Sequence, residues 1–346
     1  MIQAGILGAT GYAGFQLVNL LKNHPQVHLK ALASKSYVDQ PYSDVFPAQY
    51  KLNDQLCDSS DIEALSKTCD VLFLALPHGH ASADVTEAVL NRCKIIDLGA
   101  DFRLHDADTY TQWYGVAHQG RALLSQSVYG LCELYRDAIK STSLVANPGC
   151  YTTAAILSLY PLVKEGLIDT KTIIIDAKSG VSGAGRGLSL GTHFCECNES
   201  IKAYGVGTHR HTPEIEQELS QAAGYPVTLS FTPHLVPMNR GILATSYAQL
   251  KANVNRSMIQ EALEQYYGKE YFIRLRKGNS LPETNQVKGS NFFDLNFHLD
   301  ERTDRIVLIG ALDNLMKGAA SQAVQNMNLL FGFQESTAID MCPMMM

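Results

Sequence analysis

The sequence predicts an α/β domain followed by an α+β domain, and three stretches carry that prediction. Residues 2–7 form an apolar, strand-like run that enters Gly8-Ala9-Thr10-Gly11-Tyr12-Ala13-Gly14, and residues 15–21 follow at helical spacing. A small-residue turn between a first strand and an amphipathic helix lets a pyrophosphate come close to the backbone at a helix N-terminus, so this end reads as a Rossmann-like dinucleotide-binding domain. Val71-Leu72-Phe73-Leu74-Ala75-Leu76 is continuously apolar, as a central strand buried on both faces should be. From residue 227 strand-like segments dominate (227–232, 241–250, 291–300 and 305–313), which suits a largely antiparallel or mixed sheet rather than a second nucleotide fold. Pro233 to Gly241 reads as the connection between the first two.

Composition narrows the function classes. The 346 residues are 46% hydrophobic and 18% charged, with a net charge of −6, enough chain for two domains with cores of their own. Basic residues are scattered, which argues against a nucleic-acid surface, and no apolar stretch approaches membrane-spanning length. The first strand begins at Ile2, leaving no room for a leader before the fold, and eight cysteines without framework spacing read as reduced thiols. Both features point to a cytoplasmic protein. Cys195-Glu196-Cys197 is the close cysteine pair, but one intervening residue and no second pair make poor zinc spacing, so no metal site is expected.

In the first domain Gly8, Thr10, Gly11, Tyr12 and Gly14 are the expected pyrophosphate contacts. The second strand, residues 28–33, ends in Ser34-Lys35-Ser36. Two hydroxyls and a cation stand where an NAD-selecting fold often places an acid, so the expected cofactor is NADP(H). Pro77-His78-Gly79-His80-Ala81 follows the third strand, at the edge where ligands of open α/β sheets gather. Its histidines either line that edge or cap a helix over residues 83–90. A fourth strand, 94–98, leads to Arg103, whose guanidinium can grip a phosphate bidentately or pair with Asp101 or Asp106.

The chain is organised around Asn147-Pro148-Gly149-Cys150-Tyr151-Thr152-Thr153. An apolar run at 144–146 enters it and a helix-like run at 154–160 leaves it, which places Cys150 on the first turn of a helix. There the dipole and the unpaired N–H groups favour a thiolate and can hold an oxyanion. A small buried cysteine closing a turn is the plain alternative. A β-branched strand at 172–177 runs into Lys178-Ser179-Gly180-Val181-Ser182-Gly183-Ala184-Gly185-Arg186-Gly187. Ser179, Gly180, Ser182 and Gly183 are small enough for close approach of an anionic ligand. In Gly207-Thr208-His209-Arg210-His211-Thr212-Pro213-Glu214, Thr212 reads as a helix N-cap with Pro213 at N1. His209 and His211, two apart, point to one side of an extended segment, and either can activate a thiol, oriented by Glu214. A last helix beyond Asp313-Asn314-Leu315-Met316-Lys317-Gly318-Ala319 is expected to return to the first domain. The expected division is then 1–148 with 314–346 as the NADP-binding domain, and 149–313 as the catalytic, substrate and oligomerisation domain. The Met-rich tail from Met341 has no physical account.

Taken together, these stretches resemble the N-acetyl-γ-glutamyl-phosphate reductases of arginine biosynthesis, over nearly the whole chain and in order. The resemblance rests on the glycine turn, on Asp101-Phe102-Arg103-Leu104, on the cysteine motif, on His209-Arg210-His211-Thr212-Pro213-Glu214-Ile215 and on the stretch from Asp313 to Ala319. Cys132 and Thr152 depart from it, standing where the family often has proline. The resemblance implies that Cys150 attacks a small-molecule acyl phosphate, that inorganic phosphate leaves, and that NADPH reduces the resulting thioester. It implies a histidine as acid and base, His211 ahead of His209. By similarity to the superfamily's phosphate clamp, Arg103 would take the leaving phosphate, with Asn147 on the substrate side. Arg240 or Arg186 would receive the substrate carboxylate, and Asn314 would contact the nicotinamide end of the cofactor. The family assembles as a homodimer or homotetramer through the second domain. The alternatives are a reductase of a carrier-bound aminoadipyl phosphate, which needs a basic docking patch that a net charge of −6 does not advertise, and a non-catalytic NADP-binding redox sensor.

Overall fold

A computed structural model describes residues 1–345. The chain divides into two compact units, residues 1–148 with 319–340, and residues 149–318 with the tail from Met341. The return to the first unit thus starts at Ala319 rather than Asn314, because Asn314 is held inside the second unit by Gly241 and Ser182. The tail stays with the second unit, where Met344 N donates to Lys288 O at 2.8 Å.

The first unit is built on a six-stranded sheet of order β2-β1-β3-β4-β6-β5. Its strands are β1 (Ile2–Leu7), β2 (Val27–Ala33), β3 (Val71–Leu74), β4 (Lys94–Asp97), β5 (Ser127–Tyr129) and β6 (Leu144–Ala146). All pairings are parallel. β3 is buried at every residue, which is why it shows no polar alternation. Helix Tyr12–Lys22 buries Leu17, Val18, Leu20 and Leu21. In helix Ser321–Leu330 even the amides are buried, and they are used: Gln322 and Asn326 both donate to Gly130 O, at 2.8 and 2.9 Å. The expected helix over 83–90 is two single turns instead, Ala81–Asp84 and Glu87–Leu90. Thr86 is extended there, and its hydroxyl accepts from Val89 N to start the second turn.

The second unit has a seven-stranded sheet of order β11-β12-β13-β10-β7-β9-β8. The strands are β7 (Ile168–Gly180), β8 (Lys202–Ala203), β9 (Ser230–Val236), β10 (Ile242–Leu250), β11 (Ile273–Leu275), β12 (Phe293–Asp300) and β13 (Arg305–Leu312). β7 with β9 and β11 with β12 are parallel and the other pairs antiparallel, so the sheet is mixed. β9 sits later than residues 227–232 and runs through Pro233, which had the look of a connection. The proline is tolerated because its neighbour β8 is only two residues long and Pro233 O accepts from Tyr204 N. Helix Cys150–Lys164 packs on β7, β10 and β13, with helices Thr212–Ala223 and Arg256–Tyr267 beside it. Pro161 lies inside the first of these and cannot bond back to Leu157. Tyr267 Oη donates to the released Leu157 carbonyl at 2.8 Å. On the other face of the sheet, Ile174, Tyr247 and Val307 stand side by side in register, partly or wholly exposed. No helix of the described residues is long and apolar enough to cross a membrane.

Candidate active site

Within the first unit the glycine turn is shaped by backbone crowding. Gly8 has φ +77°, and a Cβ there would lie 2.2 Å from Ala75 O. A Cβ on Gly14 would lie 2.2 Å from Gly8 O, so the helix can start this close to the strand only without one. Gly11, the N-cap, has room on the protein side, its nearest neighbour being 3.4 Å away. No side chain caps this helix and no acid lies in its first turn, which leaves N–H groups and a positive dipole end for an anion. Thr10 Oγ1 and Ser34 Oγ are 2.9 Å apart, which fastens the turn to the end of β2. Ser34 is buried, while Lys35 and Ser36 are exposed beside it, and Tyr12 at the helix start is 39% exposed. The cradle therefore fits a pyrophosphate, with a cation and a hydroxyl available for a 2′-phosphate.

Arg103 and Asn147 come together, but as a buried tie. Arg103 is 7% exposed; its Nε donates to Asn147 O and its Nη2 to Leu98 O, both at 2.8 Å. Asn147 is 1% exposed, with Nδ2 on Ala319 O and Oδ1 accepting from Asn326 Nδ2. These bonds fix the backbone that leads into the cysteine motif. Nearby, burial, reinforced by the neighbouring Asp101, pushes the Asp97 carboxyl up to about 7. Asp101 rather than either histidine caps the 77–81 segment, accepting from Gly79 N and Ser82 N at 2.7 and 2.8 Å.

In the second unit Cys150 is the first residue of its helix, with Gly149 at the N-cap and no side-chain cap. Cys150 is partly exposed, whereas Tyr151, Thr152 and Thr153 behind it are buried. Glu214 is 1% exposed, and its Oε1 accepts from Gly149 N at 3.0 Å, with the Thr152 hydroxyl 2.8 Å from the same oxygen. The carboxylate thus anchors the start of the Cys150 helix. That role had no signal in the sequence, where Glu214 looked like a histidine's orienting partner.

The helix after the histidines begins at Thr212 itself, with His211 at the N-cap and Pro213 one place further in than expected. His211 takes a helix-like conformation (φ −79°, ψ −13°), which brings its ring to 4.8 Å from that of His209, edge on. Both rings also meet Tyr151 edge on, at 5.8 and 6.0 Å, and Phe231 closes the group against His209 at 5.3 Å. His211 N donates to His209 Nδ1 at 3.1 Å, which puts the neutral proton of His209 on Nε2. Burial pushes this imidazole down to about 4, and the Arg210 charge adds to the fall against the pull of Glu214. Tyr151, Tyr204 and Phe231 are parts of the site that sequence reasoning missed. Tyr204 Oη donates to Tyr151 Oη at 3.2 Å, and Tyr151 Oη to His234 O at 3.0 Å.

The remaining candidates form a support beside the glycine loop. Asn314 Oδ1 accepts from Gly241 N at 2.7 Å and its Nδ2 donates to Ser182 Oγ at 3.0 Å. Arg240 Nη2 donates to Asp313 Oδ1 at 3.2 Å, and its Nε lies 3.1 Å from Oδ2. Ser179 is buried at the end of β7, and a Cβ on Gly180 would lie 2.7 Å from Arg240 N, so this loop is folded tightly on the chain before β10. Gly183 and Arg186 are exposed further along it.

Comparisons with known proteins match the two parts of the chain separately. Residues 3–142 match a family model described as "Semialdehyde dehydrogenase, NAD binding domain", and residues 150–314 one described as "Semialdehyde dehydrogenase, dimerisation domain". The chain is 54% identical over 346 residues to an N-acetyl-gamma-glutamyl-phosphate reductase of Lachnospira eligens, with 99% of each chain covered. It is 52% identical over 344 residues to the one from Lachnoclostridium phytofermentans, again with 99% of each covered. Among solved structures it is similar to aspartate semialdehyde dehydrogenase II of Vibrio cholerae, with a TM-score of 0.70 at 18% identity, covering 96% of this chain and 98% of that one. At that identity the likeness shows the fold alone.

Proposed function

Because the chain belongs to the N-acetyl-γ-glutamyl-phosphate reductase family of semialdehyde dehydrogenases, we propose that it reduces N-acetyl-γ-glutamyl phosphate to N-acetylglutamate γ-semialdehyde and inorganic phosphate in arginine biosynthesis, with NADPH as reductant. The observation that carries the reading is the meeting, in one unit, of a cysteine on a helix N-terminus with two histidines packed on its neighbouring tyrosine. His211 takes the proton of the Cys150 thiol as Sγ attacks the acyl carbon. The C–O bond to phosphate breaks and a thioester forms, which splits one hard displacement into two easier steps. When bound, the reduced nicotinamide supplies the hydride. N–H groups of the first helical turn hold the oxyanion at each stage, and one such donor is worth about 3 kcal/mol. His209, neutral and with its proton on Nε2, is suited to donate a hydrogen bond rather than to act as base. The C–S bond then breaks, the aldehyde leaves, and His211 returns its proton to sulfur. Gly8, Thr10, Gly11, Tyr12 and Gly14 would hold the pyrophosphate, with Lys35 and Ser36 on the 2′-phosphate. Arg186, exposed in the loop after β7, is better placed than the tied Arg103 and Arg240 to meet a substrate anion.

The reverse reaction tests the reading. Purified protein with N-acetylglutamate γ-semialdehyde and NADP⁺ should produce NADPH only when inorganic phosphate is present. Turnover with aspartate semialdehyde instead would change the substrate and keep the chemistry; measurable NADPH binding with silence on both would sink the proposal in favour of a carrier-bound substrate or a sensor. The matched dimerisation domain supports a homodimer, and the uncovered row Ile174, Tyr247 and Val307 is the face it would use. Ile174→Asp should lower the sedimenting mass; an unchanged assembly would remove that face from consideration.

A further inference from the structure

We infer that Gly318 is the positioning residue for the nucleophile: its missing side chain lets the π-helical turn Met316–Ala320 lie directly against Cys150 and so fixes where the thiol points. The inference rests on Cys150 being the nucleophile. A Cβ built on Gly318 would stand 2.8 Å from Cys150 Cβ, 3.2 Å from Cys150 Cα and 3.2 Å from Leu312 Cδ1. Real Cβ atoms do not approach each other to 2.8 Å, and Cys150 Cα and Cβ are not the far end of a flexible chain that can swing away. Gly318 is not needed for its conformation, since its φ lies outside the left-handed region that favours glycine. A glycine in a helical turn costs stability relative to alanine, so close approach is the reason left for it. Short π-helical turns of this kind recur at functional sites.

The turn cannot retreat from the cysteine, because it is tied at its start. Gly318 N donates to Asp313 O at 3.0 Å. The Asp313 carboxylate, wholly buried, accepts from Gly289 N at 2.7 Å, from Leu315 N at 2.9 Å and from Met316 N at 3.2 Å, and faces the Arg240 guanidinium. Asn314, next in the chain, holds Gly241 N and Ser182 Oγ. Arg240 and Asn314 therefore act as positioning residues at one remove: they brace the turn that bears on Cys150, and the same brace holds the glycine loop at Ser182. With backbone packed against one side of Cys150 Cβ, the Sγ atom has fewer directions open to it, and the side of Cβ away from the turn is where a substrate carbonyl must arrive.

The test uses Gly318→Ala, with Gly310→Ala as a control of equal crowding in the same unit, since a Cβ at 310 would meet the Phe293 ring and Ser158 Oγ at 2.7 Å. Both variants should melt earlier. Only Gly318→Ala should lower kcat, by about 10²-fold for a displacement on the order of 1 Å, and slow iodoacetamide alkylation of Cys150 with a changed pH profile, read peptide by peptide so that Cys195 and Cys342 do not interfere. NADPH affinity should hold in both. A double-mutant cycle keeps the inference open to refutation should Gly318→Ala fold poorly: the loss of Tm it causes should shrink in a Cys150→Gly background, where the Cβ of the closest contact is gone and only the looser contacts to Cys150 Cα and Leu312 Cδ1 remain. Equal losses of Tm in the two backgrounds, or kcat and alkylation within about two-fold of the parent, would overturn it. Loss of all activity in Cys150→Ser tests the underlying assignment separately, and the alkylation and stability measurements need no substrate.

Discussion

The glycine turn of the first unit and the cysteine turn of the second are the same physical device used in opposite ways. Each ends a strand, enters a helix through a glycine N-cap in extended conformation, and has no side-chain cap: φ −82° and ψ 172° at Gly11, φ −71° and ψ 156° at Gly149. At Gly11 no acidic residue lies in the first turn, and the dipole is left for an anion brought from outside. At Gly149 an anion is built in, because the Glu214 carboxylate takes the Gly149 N–H. The Gly11 turn stays electrostatically open, while the Gly149 turn is held rigid and its next residue, Cys150, is left partly exposed. The difference shows that a helix N-terminus specifies charge preference alone; what occupies it depends on whether a carboxylate from elsewhere in the chain arrives first.

Six substitutions break or sharpen this comparison. The largest effect is expected from Cys150→Ser, which should cost roughly 10⁴-fold or more in reductase activity and leave NADPH binding intact, as measured by fluorescence titration; comparable losses in both would mean the two turns are not independent. Next, Glu214→Ala should destabilise the second unit by about 3 kcal/mol, since it strands a buried N–H and removes a charged acceptor. Glu214→Gln should cost about 1 kcal/mol and shift Cys150 alkylation to lower pH, because an anion beside the thiolate has been neutralised. An alkylation profile that stays put in the Gln variant would show that Glu214 acts by shape alone.

Smaller effects separate fold from ligand in the first unit. Gly14→Ala should lower Tm, its Cβ being 2.2 Å from Gly8 O, while Gly11→Ala should fold normally and weaken NADPH, because its Cβ fills space that the chain leaves open. Matching Tm values for the two would refute this reading of the cradle. The smallest is a pH effect. His209 falls from an ordinary 6.5 to about 4 on folding, so between those values the unfolded chain binds more protons. Stability is full above pH 6.5 and is lost as pH falls through about 4. In melting curves taken across that window, His209→Gln should show a shallower slope than the parent.

Much of this arrangement could be read from residue order. The apolar run into Gly8, the continuous β3 and the placement of Cys150 on a first turn are local patterns, set by periodicity and by small residues at strand ends; His209 and His211 read as sharing one side of an extended segment, whereas the helix-like φ and ψ of His211 bring their rings together. What could not be read depends on partners far away in the chain. Glu214 lies 65 residues from Gly149, and nothing near it announces that bond. Nothing near Arg103 announces that the carbonyls of Leu98 and Asn147 turn into it. The ties of Arg240 and Asn314 are hidden for the same reason, each being made to residues more than 70 positions away. Thr212 resembles a cap because Thr-Pro-Glu is a common helix opening, yet the chain starts the helix there and leaves His211 at the cap.

The proline within helix Cys150–Lys164 has a mechanical consequence. At Pro161 the ladder of backbone bonds is interrupted, and the carbonyl it frees is taken up by Tyr267 from another helix. The helix stays continuous across Pro161, with one rung of its ladder missing and the freed carbonyl held from outside. Twisting or fraying that starts near Lys164 meets that missing rung before it reaches the thiol, and Tyr267 anchors the helix close to it. An atom at the tip of a lever held only at its far end would feel every disturbance there; here Tyr267 clamps the lever near its middle, at Leu157.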